Sequence, residues 1–121
     1  MKYAILAYHV EAEVMAWTPT EDASLMERLM KAHEQVNRDG KLGPAARLGG
    51  TAKARTLRGP GNGMVIDGPF AETKEQLLGF YVVECASLEE AIDTATRIKG
   101  DEQEGAFEVR PLRLFEPAGP K

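Results

Sequence analysis

"LLGFYVVECASLEEAIDTATRIKG", residues 77–100, holds a strand and a helix back to back. Leu78 to Cys85 is rich in aromatic and β-branched side chains, the composition of a half-buried strand. Ser87-Leu88-Glu89-Glu90 has the serine and the glutamate of a capping box, the signature of a helix start. Leu88, Ala91, Ile92, Ala95 and Ile98 then recur along one helical face, and Gly100 supplies a stop. One more strand follows, from Phe107 to Phe115, with Pro111 marking an edge or a bulge. Asp101 to Gly105 reads as an acidic loop and Pro117 to Lys121 as a loose tail.

The same grammar appears upstream. Residues 2–9 read as a strand with two mostly apolar faces: Tyr3, Ile5, Ala7 and His9 on one, Ala4, Leu6 and Tyr8 on the other. Thr18-Pro19-Thr20-Glu21 begins a helix with a capping threonine and a first-turn proline. Leu25, Met26, Leu29, Met30, Ala32 and Val36 continue it with helical spacing to Gly40. Residues 42–48 suggest a short strand broken by Pro44. Thr51 to Arg58 and Met64 to Asp67 flank the glycine- and proline-rich segment 59–63, which reads as a hairpin. The order is therefore strand, helix, strands, strand, helix, strand. It predicts an α+β fold: a ferredoxin-like antiparallel sheet with two helices on one face and an inserted hairpin. Two helices cover only one face, so the other face meets water, a ligand or a second copy, and a homodimer is expected.

Composition narrows the function classes. The 121 residues suit a single domain, residues 1–121, and an apolar fraction of 43% supports a real core. Fifteen Lys and Arg against 19 Asp and Glu leave a net charge of −4, which argues against direct nucleic-acid binding as the main role. The single cysteine, Cys85, allows no intrachain disulfide. The N-terminal apolar run is too short for a signal peptide, and no run approaches the ~20 residues of a membrane span. The expectation is a cytoplasmic protein with no membrane contact.

Residues 67–84, "DGPFAETKEQLLGFYVVE", with "SLEEAIDTATRI" at 87–98 and "FEVRPL" at 107–112, resemble the DGPF-domain branch of the YCII-related family. The resemblance covers most of the chain. It implies a ferredoxin-like fold paired into a dimeric α+β barrel, with a pocket beside the sheet. The wider superfamily is similar in fold to small isomerases and dehalogenating enzymes, often described with a His–Asp site. The DGPF branch has no generally established reaction, and its members often occur beside, or fused to, extracytoplasmic-function sigma factors. The histidine that YCII-like relatives carry early in the first helix has no counterpart here, where the helix histidine is His33.

Several residues carry candidate chemistry. Asp67 ends an apolar run and precedes Gly68-Pro69. It either organises the turn through backbone amides or stands as a partly buried acid or base. Phe70 would pack down as an apolar anchor. Lys74, in the charged run, would hold an anionic ligand beside Asp67, or simply sit in solvent. His33 falls inside the apolar arc of its helix, and His9 ends the first strand at the mouth of any pocket there; each is either a satisfied core side chain or a proton carrier. Lys53, Arg55 and Arg58 form a basic strand, with Arg55 suited to an anionic ligand. Tyr81 offers a hydroxyl to the pocket or a ring to an interface. Cys85 reads as an inert strand thiol. Two histidines without clustered acids or cysteines make a poor zinc signature, so neither a metal nor a cofactor is expected.

These residues predict a ligand pocket near the DGPF turn. The expected chemistry is proton transfer, isomerase- or lyase-like, on a small organic acid or aromatic compound, with Asp67, His33 and His9 as the acid–base set. The rival expectation is a non-catalytic ligand-sensing or partner-binding module linked to transcriptional regulation.

Overall fold

A computed structural model describes residues 1–61, 63–100 and 104–116. Strand β1 (Lys2–Val10) runs into a short helix α1 (Glu11–Met15), followed by the long helix α2 (Pro19–Arg38) and strand β2 (Leu42–Arg47). A 3-10 turn at Thr51–Lys53 precedes β3 (Arg55–Arg58) and β4 (Met64–Asp67). Strand β5 (Glu75–Glu84), helix α3 (Leu88–Lys99) and strand β6 (Ala106–Pro111) complete the described chain. Residues 101–103 of the expected acidic loop and the expected tail from Pro117 lie outside the described residues.

The architecture is α+β. Four strands form one antiparallel sheet in the order β2-β5-β1-β6, consistent with a ferredoxin-like plan, while β3 and β4 form a separate two-stranded sheet. The capping box of α2 forms in full, and that of α3 by its serine half, with the Glu90 carboxylate accepting from the Ala86 amide instead of the Ser87 amide. In α2 the Thr18 side chain accepts from the Glu21 amide at 3.1 Å, and the Glu21 carboxylate accepts from the Thr18 amide at 3.0 Å. In α3 the Ser87 hydroxyl accepts from the Glu90 amide at 3.2 Å. Helix α1 was not foreseen: its cap residue, Val10, supplies no side-chain hydrogen bond, and five residues are too few to display a period. The strand expected over 51–58 is shorter, because Thr51–Lys53 winds into the 3-10 turn, and the last strand stops at Pro111.

Alternation along β1 sorts its two faces. Tyr3, Ile5 and Ala7 are buried with Tyr81 and Val83 of β5 and Cys85 just beyond it, beneath Val36 of α2 and Ala91, Ala95 and Ile98 of α3. The alternate residues Ala4, Leu6 and Tyr8 lie on the face that no helix covers, with Phe80 and Val82 beside them, and are only partly buried. Helix α2 is anchored at one end. Val36, near its C-terminus, is its one buried residue, whereas Leu25, Met26 and Leu29 are only partly buried. The N-terminal half of α2 therefore leaves space above the sheet. Between Ala7 and Tyr8 the register of β1 against β5 shifts, a bulge of the kind that re-aims side chains next to functional sites.

Candidate functional site

The space beneath α2 is a cleft with two lobes that share His9, Trp17 and Leu25. The inner lobe, about 240 Å³, lies between Leu29 and His33 of α2 and Ala7, Gly79, Tyr81 and Phe107 of the sheet. The outer lobe, about 440 Å³, is bordered by Glu13 and Val14 of α1, Ser24 and Arg28 of α2, and Glu104. Together they fall in the size range of small-ligand sites, roughly 300–1,000 Å³.

His9 sits where the lobes meet, at the end of β1. Burial lowers its pKa below the ordinary 6.5, and a hydrogen bond with the Glu104 backbone opposes that effect. To favour the protonated ring, that bond must have the imidazole N–H donating to the backbone carbonyl. The Nδ1 edge faces this segment: a Cβ added at Gly105 would lie 2.8 Å from His9 Nδ1. With Nδ1 on the side of this backbone segment, Nε2 is the ring nitrogen on the other edge. Gly105 makes the approach feasible. Its φ is +99°, and a Cβ there would also come within 2.3 Å of the Tyr8 carbonyl oxygen.

His33 and Tyr81 form the second polar group. His33 Nε2 lies 3.2 Å from the Tyr81 hydroxyl, with the ring centroids 5.1 Å apart in an edge-on arrangement. Burial lowers the His33 pKa. Burial also raises the Tyr81 pKa, while the positive charge of Arg47 opposes the rise. A neutral imidazole beside a protonated phenol is the resulting state near neutral pH. The rings continue as a row: Tyr81 stacks near Phe107 with centroids 6.5 Å apart, and Phe107 meets His9 edge-on at 6.2 Å. Arg47 closes the β2 side of the inner lobe, held by Asp22 at 2.7 Å.

His9, His33 and Tyr81, separate candidates in the sequence, thus line one cleft. Asp67, Phe70 and Arg55 do not. Asp67 ends the detached β3–β4 hairpin, its side chain 90% exposed and paired with Arg55 at 3.1 Å. The expectation of a partly buried Asp67 is corrected: the hairpin stands off the main sheet, so both of its faces are solvated. Phe70 is likewise 72% exposed rather than packed down, with the Arg58 guanidinium 4.7 Å from its ring centroid. Gly68 takes φ +98°, so the turn does need glycine. Lys74 borders a separate shallow depression beside Pro69 and Thr73, where Glu11 accepts hydrogen bonds from the Thr51 amide and hydroxyl. Trp17, Arg47 and Gly105 escaped the sequence reading. Trp17 stands just before the Thr18–Glu21 capping motif, which is complete without it, Arg47 had no motif around it, and the role of Gly105 depends on contact with a strand far away in the chain.

Two comparisons place the chain among known proteins. It is 49% identical over 119 residues to an uncharacterized protein of Rhizobium meliloti (strain 1021), an alignment covering 97% of this chain and 96% of the relative. Residues 1–116 match the YCII-related domain. The chain belongs to the YCII-related family.

Proposed function

We propose that the cleft beneath α2 binds a small organic acid or aromatic compound and moves a proton on it, as an isomerase or lyase does. The observation that carries this reading is the place of His9, at the junction of the two lobes with its Nδ1 edge turned to the 104–105 backbone. Such a ring presents one basic nitrogen in a fixed orientation. Its Nε2 takes a proton from an acidic carbon, the C–H electron pair passes into an enolate, and the proton returns at the same or a neighbouring carbon. The outer lobe admits the substrate and the inner lobe holds its reacting end. Asp67, exposed and paired with Arg55, has no part in this scheme.

The same reading includes a cytoplasmic homodimer. Stacking the open sheet faces of two copies would cover Leu6, Tyr8, Phe80 and Val82 and build a dimeric α+β barrel, the arrangement that the family resemblance implies.

The test is exchange of carbon-bound hydrogen. A panel of enolisable keto acids is incubated with the protein in D2O and followed by proton NMR. Protein-dependent loss of α-proton signals, abolished in His9→Gln, is the expected result. Binding without any exchange would instead leave a ligand-sensing module tied to regulation. That second reading draws support from the apolar, exposed hairpin and the turn after it, where Leu57 is 75%, Val65 65% and Phe70 72% exposed, as a partner-binding surface would be.

A further inference from the structure

Resting on the proton-transfer reading, we infer that the Tyr81 hydroxyl, positioned by His33, is the anchor for a developing oxyanion on a planar, conjugated carbonyl substrate. His33 Nε2 lies within hydrogen-bond distance of the Tyr81 oxygen, and we take the tautomer with the proton on Nε2, which makes the pair a donor relay. With His33 Nε2–H donating to the Tyr81 oxygen at 3.2 Å, the phenol proton is free for a ligand oxygen. A donor aimed at the oxygen of an enolate stabilises the charge that appears when His9 removes a proton from carbon. Base and anchor lie on one surface, joined by the ring of Phe107 between them.

Two further observations select the ligand's shape and charge. The row from Tyr81 through Phe107 to His9 is a floor of ring faces and edges, facing Leu25, Leu29 and His33 of α2 across the inner lobe. A slot between a ring floor and branched aliphatic side chains suits a flat, conjugated molecule. Charge also differs between the lobes. Among the described residues, the inner lobe has Arg47, paired with Asp22 from outside it, and no carboxylate in its lining, whereas the outer lobe has Glu13, Glu21 and Glu104 against Arg28. A negative oxygen is therefore favoured at the Tyr81 end. The reaction class that follows is the shift of a proton along a conjugated carbonyl compound. His9 takes the proton from one carbon, the electron pair delocalises onto the oxygen bonded to Tyr81, and the same proton is returned to another carbon. No oxidant or co-reactant is needed.

The probe is 4-nitrophenolate, a planar ring bearing an oxyanion, with 4-nitroanisole as its neutral, equally flat control. Binding is followed by the shift of the nitroaryl absorbance and by the His33 ring signals in NMR. Wild type is expected to bind both. Tyr81→Phe should lose about tenfold or more in affinity for the phenolate, the loss typical of a hydrogen bond to a charged group, and hold the anisole unchanged. His33→Leu should reproduce the loss, and His33→Gln, which retains an N–H donor, should recover most of it. Equal phenolate binding by wild type and Tyr81→Phe would overturn the anchor. Equal binding by His33→Leu and His33→Gln would overturn the relay, and absence of binding by both probes would overturn the ring floor. These binding readouts are independent of deuterium exchange, so an inert protein that passes them keeps the anchor and loses only the reaction.

Discussion

Gly105 lies against His9 so closely that a methyl group on its α-carbon would stand 2.8 Å from the imidazole Nδ1. The backbone of one loop thereby sets the orientation of a ring at the end of a distant strand. Gly105→Ala should cost stability on two counts, positive φ and collision with the Tyr8 carbonyl. The loss is expected to exceed about 1 kcal/mol in urea titration. The His9 ring signals should shift at the same time. A variant that melts like the parent with an unmoved His9 spectrum would show that the loop does not hold the ring.

Acid should weaken the fold in a window set by the histidines. Burial lowers the pKa of both His9 and His33 from 6.5. Below 6.5 the unfolded chain therefore binds protons that the folded chain still refuses. The stability they support is full above 6.5, is lost as the pH falls through their lowered values, and changes no further once both are charged. Urea midpoints at about pH 7.5 and pH 5.5 should differ in that direction. The double substitution of His9 and His33 by Gln should flatten the difference. A wild-type midpoint that does not fall between those two values would contradict the assignment of both rings as neutral.

The DGPF turn should prove structural. Asp67→Asn removes one member of an exposed ion pair and should melt with the parent, because such pairs contribute little. Its affinity for cleft ligands should also be unchanged. Gly68→Ala behaves differently: nothing lies within 4 Å of the added Cβ, so the cost is backbone strain at φ +98°, roughly 1 kcal/mol. Loss of ligand binding in Asp67→Asn would return Asp67 to the site.

Assembly is measurable directly. Light scattering at micromolar concentration should give twice the chain mass, and Phe80→Lys, on the face no helix covers, should give the single mass. A wild-type monomer would remove the barrel dimer.

How much of this was legible in the sequence follows from range. Strand β5 and helices α2 and α3 were readable because their signals are local: capping boxes, a 3.6-residue period and a terminal glycine all lie within one element. Helix α1 was not, having no side-chain cap and too few residues for a period. The cleft was legible only in fragments. His33 read as inward-facing and His9 as bordering the mouth of a pocket, yet nothing local says that a strand end and the C-terminal half of α2 border the same space. Asp67 misled for the converse reason. An apolar run ending in a carboxylate looks half-buried when read as part of a sheet, but β3 and β4 pair only with each other, which leaves Met64 and Val65 each 65% exposed.

The single thiol has a practical consequence. Cys85 is 3% exposed, sealed in the seam between β5 and α3, with its sulfur 3.7 Å from the Thr94 hydroxyl. A thiol reagent reaches it only when that seam opens. Because the chain holds one cysteine, each labelling event adds one mass increment per molecule. The pace of labelling in native buffer is therefore a clock for how often helix and sheet part, and any ligand that tightens the cleft from the opposite side of α2 will be heard in it as a slower tick.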